Sequence, residues 1–455
     1  MSQYIPPFRP CAENACSASK RRRPHEAAFF VAMYMISFAT GGLRPCLESF
    51  GADQFDDDHT EERKQKMSFF NWWSAVLCCG LTLGVSLIVY VEDNVGWGVA
   101  AVILTSVVAT CIAIFVLGKP YFRYRAPNGS PLTPMLRVLV AAVSKRSLPQ
   151  PNNPHQLYQG PAPHEAPNRV LPHTDKLRCL DKAAIVEGES MDHNPWRLAT
   201  VTQVEESKLV LNVIPIWLTT LMFGVCLAQS TTFFVKQGLT MQRKLTAHFT
   251  IPPASMATIT ALSNIITIIL YDRILVPYLR HAKQNERGIS ILTRIGIGMV
   301  FSMASMVIAA VLERKRLGSL PHHEMSILWL APQFFMVGIA DGFTLVGLQE
   351  YFYDQVPDGM RSLGIAFFLS VIGTSNFLSS LLITAVEHVT RKGTGGLGWF
   401  SEDLNKGHLD YFYWLLAGMS GVNLCVYVYV ASRYSYKRVD RIRMEHGVHG
   451  QRRDF

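Results

Sequence analysis

Charge is scarce in this chain: Asp, Glu, Lys and Arg together make up 17% of its 455 residues, against roughly a quarter in soluble domains. That shortage argues against the two or three solvated domains such a length would otherwise suggest. Ordered cysteine spacing is missing too. The nine cysteines show no paired intervals, and five of them (Cys78, Cys79, Cys111, Cys226 and Cys425) fall in apolar stretches, where a thiol serves as a small hydrophobe. This disfavours a disulfide framework and a thiolate metal site. No apolar leader is visible in Met1 to Glu26, a polar segment holding the run Lys20, Arg21, Arg22 and Arg23. There is no nucleotide-binding loop, nucleophile elbow or metalloprotease helix, so no enzyme chemistry and no cofactor is expected. His322, His323 and Glu324 adjoin but have no spaced partner set, and they read as a solvated loop rather than metal ligands.

Apolar length is what the chain has. Apolar residues reach 49%, concentrated in nine stretches of about 17 to 24 residues, each matching the roughly 20 residues that carry a helix across a bilayer core. They run from Ala27 to Leu43, Phe69 to Val91, Val95 to Leu117, Leu209 to Ala228, Ala254 to Tyr271, Ile289 to Leu312, Ser326 to Leu348, Leu363 to Val386 and Tyr411 to Ala431. Outer-membrane barrels show short alternating segments instead, so the expected class is an all-α integral membrane protein with about nine transmembrane helices. The net charge of +9 is accounted for by basic residues flanking membrane helices, and no nucleic-acid partner is expected.

Residues 121–208 interrupt this series, hold nearly half of the 24 prolines, and read as a linker with one or two surface helices, Met135 to Val143 being an amphipathic candidate. The expected organisation is a polar segment over 1–26, a three-span partial bundle over 27–120, a cytosolic linker over 121–208, a six-helix bundle over 209–431 and a basic cytosolic tail over 432–455. With linker and tail on the cytosolic side, roughly 27 Lys and Arg lie there and roughly 14 opposite, as the positive-inside bias requires. The four basic residues before Ala27 fall on the wrong side of that count. Three spans before the linker and six after it suggest an incomplete six-plus-six architecture with a site between two bundles.

The most specific string is TGGLRPCLESFGADQFD, from Thr40 to Asp56. Its glycines permit close packing, and Pro45 is expected to end the helix before an acidic loop of Asp53, Asp56, Asp57 and Asp58. The string resembles the fourth-helix signature of the plant branch of the proton-coupled oligopeptide and nitrate transporter family, within the major facilitator superfamily. Further matches follow in family order: FFNWW from Phe69, EDNVGWG from Glu92, GSPLT from Gly129, LDKAAI from Leu180, TVTQVEESK from Thr200, IPPAS from Ile251, YDR from Tyr271 and LQEYFYDQVPDGMRSLG from Leu348. The resemblance implies the major facilitator fold, the nine spans standing for helices four to twelve of an N-terminally truncated member. It implies a secondary active transporter of a small polar solute (peptide, nitrate or other metabolite), proton-coupled in the full-length form. The alternative is a transport-inactive truncated fragment or a regulatory membrane protein. Expected partners are the solute, protons and membrane lipid, in the plasma membrane or the vacuolar membrane.

Three departures bear on that expectation. The family's first-helix Glu-x-x-Glu-Arg motif has no counterpart near this N-terminus. The family pattern Phe-Tyr-x-x-Ile-Asn-x-Gly falls on Trp73, Ser74, Leu77, Cys78 and Gly80, keeping only the glycine. Leu227, where one nitrate-transporting subgroup has a histidine, precedes Ala228 and Gln229.

A charge at the bilayer centre costs about 2.5 to 3.5 kcal/mol on insertion scales, so each intramembrane charge needs a partner or a wet cavity. Arg44, Arg294, Asp341 and Glu350 lie in or at the ends of the spans. By resemblance, Arg44 stands where relatives have a lysine that pairs with first-helix glutamates, and Glu350 stands on the tenth-helix glutamate that lines the cavity. These two are the candidate substrate and proton-coupling residues. Snorkelling at helix ends is the competing reading for both. Arg294 is expected to anchor at the interface, and Asp341, with Gly338 and Gly342 beside it, to serve helix packing or hydrogen bonding. Gln349, Thr374, Ser375 and Asn376 are candidate cavity-lining positions, with interhelical packing an equal alternative for the polar span that carries the last three.

Overall fold

A computed structural model describes residues 18–56, 59–88, 91–92, 95–124, 130, 132–149, 157–159, 171, 173–186, 194, 196–244, 251–283, 289–319, 325–393, 398–400, 404–405, 407–434 and 436. The first 17 residues, His322, His323, Glu324 and most of the basic tail lie outside them. Among the described residues the α-helices are α1 (Ala18–Ala52), α2 (Thr60–Leu83), α3 (Trp97–Gly118), α4 (Leu132–Ser144), α5 (Val201–Thr231), α6 (Phe233–Leu239), α7 (Ala257–Leu270), α8 (Val276–Lys283), α9 (Ile291–Ser319), α10 (Ala331–Gln355), α11 (Arg361–Gly393) and α12 (Leu409–Ser432). No strand occurs among these residues; only the isolated bridges Leu157 to Ile185 and Gln242 to Ser326 do.

Among the described residues, eight helical stretches are long and apolar enough to cross a membrane: Ala27–Ala52, Gly98–Tyr121, Val201–Leu239, Pro253–Ala282, Ile291–Ser319, Ile327–Gln355, Asp358–Arg391 and Leu409–Ser432. The span expected from Phe69 is helical as α2 and continues as a π-turn over Gly84–Ile88. It is not one of the eight. Its first two turns carry Glu61, Glu62, Arg63, Lys64 and Lys66, and Ser68, Asn71 and Ser74 follow before the apolar part begins.

Pro45 does not end its helix, contrary to expectation. α1 runs unbroken from Ala18 to Ala52 through Gly41, Gly42 and Pro45. A proline inside a helix loses one hydrogen bond and crowds the carbonyl four residues back, here that of Gly41. The next turn is reinforced by Ser49 Oγ, which donates to the Pro45 carbonyl at 2.8 Å.

The chain forms two compact units. The first comprises Met1–Arg125, Trp217–Tyr353 and Ser362–Ser432. One apolar core within it gathers Phe233, Phe234, Met306, Phe334, Phe412 and Leu416. Close helix approach is built on glycine: a Cβ at Gly298 of α9 would fall on Thr344 Oγ1 and lie 2.9 Å from the Ala340 carbonyl of α10. The far end of α9 holds a buried polar cluster. Arg316 donates from Nε and Nη2 to the two carboxylate oxygens of Glu313, both at 2.8 Å, and from Nη1 to Asn405 Oδ1 at 2.7 Å. Gln237 of α6 donates to Glu313 Oε2 at 2.7 Å.

The second unit comprises Ala126–Ile216, Asp354–Arg361 and Arg433–Phe455. It shows that much of the expected linker has a core of its own. The apolar face of α4, Val138, Ala141 and Ala142, packs with Leu180, Ala184 and Val204. Beside it, Lys208 Nζ lies 2.7 Å from Asp181 Oδ1 and 2.8 Å from Glu205 Oε1, and donates to the Thr174 carbonyl at 2.9 Å. Thr174 Oγ1 donates to Glu205 Oε2 at 2.6 Å, and His173 Nε2 sits 3.1 Å from Asp181 Oδ2. His173, Asp181 and Glu205 are close enough together to ligate a cation, but the Lys208 ammonium already fills that role.

Candidate transport site

Arg294 enters from the first turn of α9 and is 2% exposed, a correction to the interfacial anchor expected from its position near a span end. Its Nη2 donates to Asn71 Oδ1 of α2 at 2.7 Å and to the Gly342 carbonyl of α10 at 3.0 Å. Its Nη1 lies 3.9 Å from Glu350 Oε2, a charge contact longer than a hydrogen bond. The guanidinium carbon sits 4.0 Å from the centre of the Tyr271 ring, where the negative ring face compensates a desolvated cation. The sequence supplies this geometry through helix ends: Arg294 opens α9, Glu350 lies in the last two turns of α10, and Tyr271 starts the π-turn Tyr271–Leu275 that follows α7.

Asn71 joins two charges. While its oxygen accepts from Arg294, its Nδ2 donates to Asp272 Oδ1 at 2.9 Å. Asp272 Oδ2 also accepts from Ser68 Oγ at 2.8 Å and Trp72 Nε1 at 3.2 Å. A cavity of about 20 Å³ lies among Asn71, Tyr271, Asp272, Arg280, Arg294 and Glu350, room for a water molecule and little more. Both charge signs therefore face one small polar space.

A second contact ties α1 to α10. Gln349 Nε2 donates to Glu48 Oε2 at 2.8 Å, with both side chains buried. One turn further along, Tyr353 donates to Asp53 Oδ1 at 2.6 Å, and the Lys66 ammonium lies 5.3 Å from the Tyr353 ring centre.

Of the residues singled out in sequence, the structure brings Glu350 and Gln349 into this region, both buried. Arg44 is exposed on α1, one turn before Glu48. Ser375 is fully buried in the seam between α5 and α11, where its Oγ donates to the Leu221 carbonyl at 2.8 Å. Asn376 is exposed and donates to the Ile372 carbonyl of its own helix, and Thr374 is half-buried. Sequence reasoning missed Glu48, Asn71 and Asp272 as site residues. Each lies inside a string already recognisable as a motif, so the signal was a polar residue within FFNWW, YDR or the α1 signature.

The family model PTR2, described as POT family, matches residues 5–400. Two Arabidopsis thaliana proteins are similar over most of their length. Protein NRT1/PTR FAMILY 5.6 is 55% identical over 96% of this chain and 76% of its own length. Protein NRT1/PTR FAMILY 5.7 is 54% identical over 96% of this chain and 74% of its own. Among solved structures, an auto-inhibited POT family peptide transporter matches with a TM-score of 0.60 at 19% identity, over 92% of this chain and 79% of that one. The POT family transporter PepTSo also matches with a TM-score of 0.60, at 17% identity over 89% of this chain and 78% of that one. These two share the fold. With its spanning helices, the chain is a multi-pass integral membrane protein, and it belongs to the POT family, whose members are transporters and not enzymes.

Proposed function

We propose that this chain moves a small polar solute by secondary active transport coupled to protons, with Glu350 as the titratable or solute-contacting carboxylate and Arg294 as its counter-charge. Arg44 keeps a secondary role as a cation on α1. The observation carrying this reading is the Arg294, Glu350 and Asn71 cluster, buried beside a polar cavity in a protein whose surroundings are lipid. Intramembrane charges of this kind mark solute or ion paths. The solute is of the peptide, nitrate or small-metabolite class, because Arg280 and Arg294 confront Asp272 and Glu350 across the same space. That space has room for little more than a water, so a solute enters only when α2 parts from α8, α9 and α10. The linker and tail face the cytosol in this reading, and the host membrane is the plasma or the vacuolar membrane.

The test is Glu350→Gln, which keeps the shape and removes the charge. Uptake is expected to fall at least tenfold and to lose its pH dependence, with unchanged abundance in the membrane. Unchanged accumulation and pH dependence would remove Glu350 from the transport site.

A further inference from the structure

Two buried side-chain oxygens, Asn264 Oδ1 on α7 and Asp341 Oδ1 on α10, accept no hydrogen bond from the described residues. Both residues are deeply buried, at 4% and 7% exposure. Asn264 Oδ1 lies 3.4 Å from the position a Cβ on Gly342 would take, so the amide oxygen stands against the residue adjoining Asp341. The seam between α7 and α10 is closed around them. A Cβ at Gly338 would strike the Thr260 carbonyl and Ser263.

The hydroxyls that α7 presents along the seam are spent on backbone carbonyls. Thr260 Oγ1 donates to Phe334 O at 3.1 Å, Ser263 Oγ to Phe335 O at 2.7 Å and Thr267 Oγ1 to Ser263 O at 2.7 Å. The other ionisable groups near the seam are few. From α2 the Cys78 thiol comes within electrostatic reach of Asp341. From α9 Arg294 reaches the Gly342 carbonyl and is held by Asn71 and the Tyr271 ring. No ion pair to Asp341 occurs among the described residues. On α10 itself, Glu350 is nine residues away, about 13 Å along the helix and on its opposite side.

An unpaired carboxylate and an unpaired amide oxygen in lipid-surrounded packing are each costly, and both lack a donor. One proton answers both. An O–H bond forms on the Asp341 carboxylate with a proton taken from water, its charge goes from minus one to zero, and the new O–H is a donor one residue from the glycine that Asn264 Oδ1 faces. An alkali cation would need several more oxygen ligands turned towards it than this seam offers.

We infer that Asp341 and Asn264 form an intramembrane proton-binding site, separate from the Arg294 and Glu350 pair. Its use in transport rests on the proton-coupled reading above; its existence does not.

Infrared difference spectroscopy of the protein in liposomes tests this at neutral pH through the C=O stretch of a protonated carboxylic acid. The band is expected in the wild type, lost in Asp341→Asn, and shifted to higher frequency in Asn264→Leu, where the acid loses its acceptor. Asn264→Leu keeps the test open should Asp341→Asn fail to fold. A band that survives Asp341→Asn, stays in place in Asn264→Leu or disappears on adding sodium would overturn the site. Glu350→Gln is expected to keep the band. Uptake that is independent of pH, with the band still assigned to Asp341, would therefore defeat the transport reading and leave this site standing.

Discussion

Arg294 concentrates the chemistry of the site in one side chain, because its planar guanidinium serves a carbonyl, an amide, a carboxylate and an aromatic face together. Arg294→Ala would remove one charge partner of buried Glu350 and the donor to Asn71 and Gly342, and a loss of about 3 to 5 kcal/mol is expected from breaking such a buried set. Melting of the detergent-purified protein measures it. Arg294→Lys restores charge without the fork or the stacking plane, so its melting temperature should fall between those of Ala and wild type; a value equal to wild type would show that charge alone matters. Glu350 was legible in sequence because a carboxylate near lipid demands an explanation and the surrounding string matched a family motif. Arg294 was not, since one residue near a span end fits snorkelling equally well until the facing helices are known. Asn71 was harder still. An uncharged amide in a span has no energetic signature in sequence, and its importance arises from reaching Arg294 and Asp272, more than 200 residues away.

Helix positions and the apolar pattern agree closely, as expected where lipid forces backbone groups to pair within each helix. The exceptions are the charge-rich start of α2 and the proline carried inside α1. Glycine identity then has opposite consequences on two helices. Gly298→Ala would drive a methyl into Thr344 and the α10 backbone, and a loss of about 1 to 3 kcal/mol is expected. Gly373→Ala meets nothing within 4 Å inside α11, so a gain of about 0.5 to 1 kcal/mol is expected from helix propensity. Paired thermal melts check the two signs. At the end of α3, Arg123 clamps Glu62 through contacts of 2.7 Å and 3.3 Å, and the Asp56 N–H also donates to Glu62 at 2.7 Å. Hydrogen bonds from Arg123 and then Asp56 hold the Glu62 carboxyl down at about 2. With the folded value depressed, the clamp contributes fully above the ordinary carboxylate range and loses its contribution as pH falls towards 2. Glu62→Gln should therefore behave like wild type only in strong acid, which hydrogen exchange over residues 53–56 and 119–124 as a function of pH can follow.

At the scale of the whole chain, the family and the membrane class were plain in sequence, whereas the packing of the second unit was not. Proline content and the lack of a long apolar run made residues 121–208 read as a connector, whereas the apolar core under α4 and the meeting of Asp181, Glu205 and Lys208 reveal its internal order. Lys208→Met would leave two buried carboxylates facing each other, so proteolysis and hydrogen exchange over residues 173–186 should rise sharply; protection equal to wild type would show that the apolar face of α4 suffices. A cysteine at Ser147, exposed just beyond α4, should resist impermeant reagent on sealed cells, and labelling from outside would reverse the proposed orientation. One further consequence lies in α9. Arg294 near its start and Arg316 near its end are 22 positions apart, about 33 Å of rise, close to the thickness of the hydrocarbon core. Each terminus is bolted to different neighbours, Arg294 to Asn71 and Gly342 at one, Arg316 to Asn405 and Glu313 to Gln237 at the other. With either bolt removed, such a beam is expected to pivot about the other, carrying displacement at one end of the span to the opposite end without any unwinding between them.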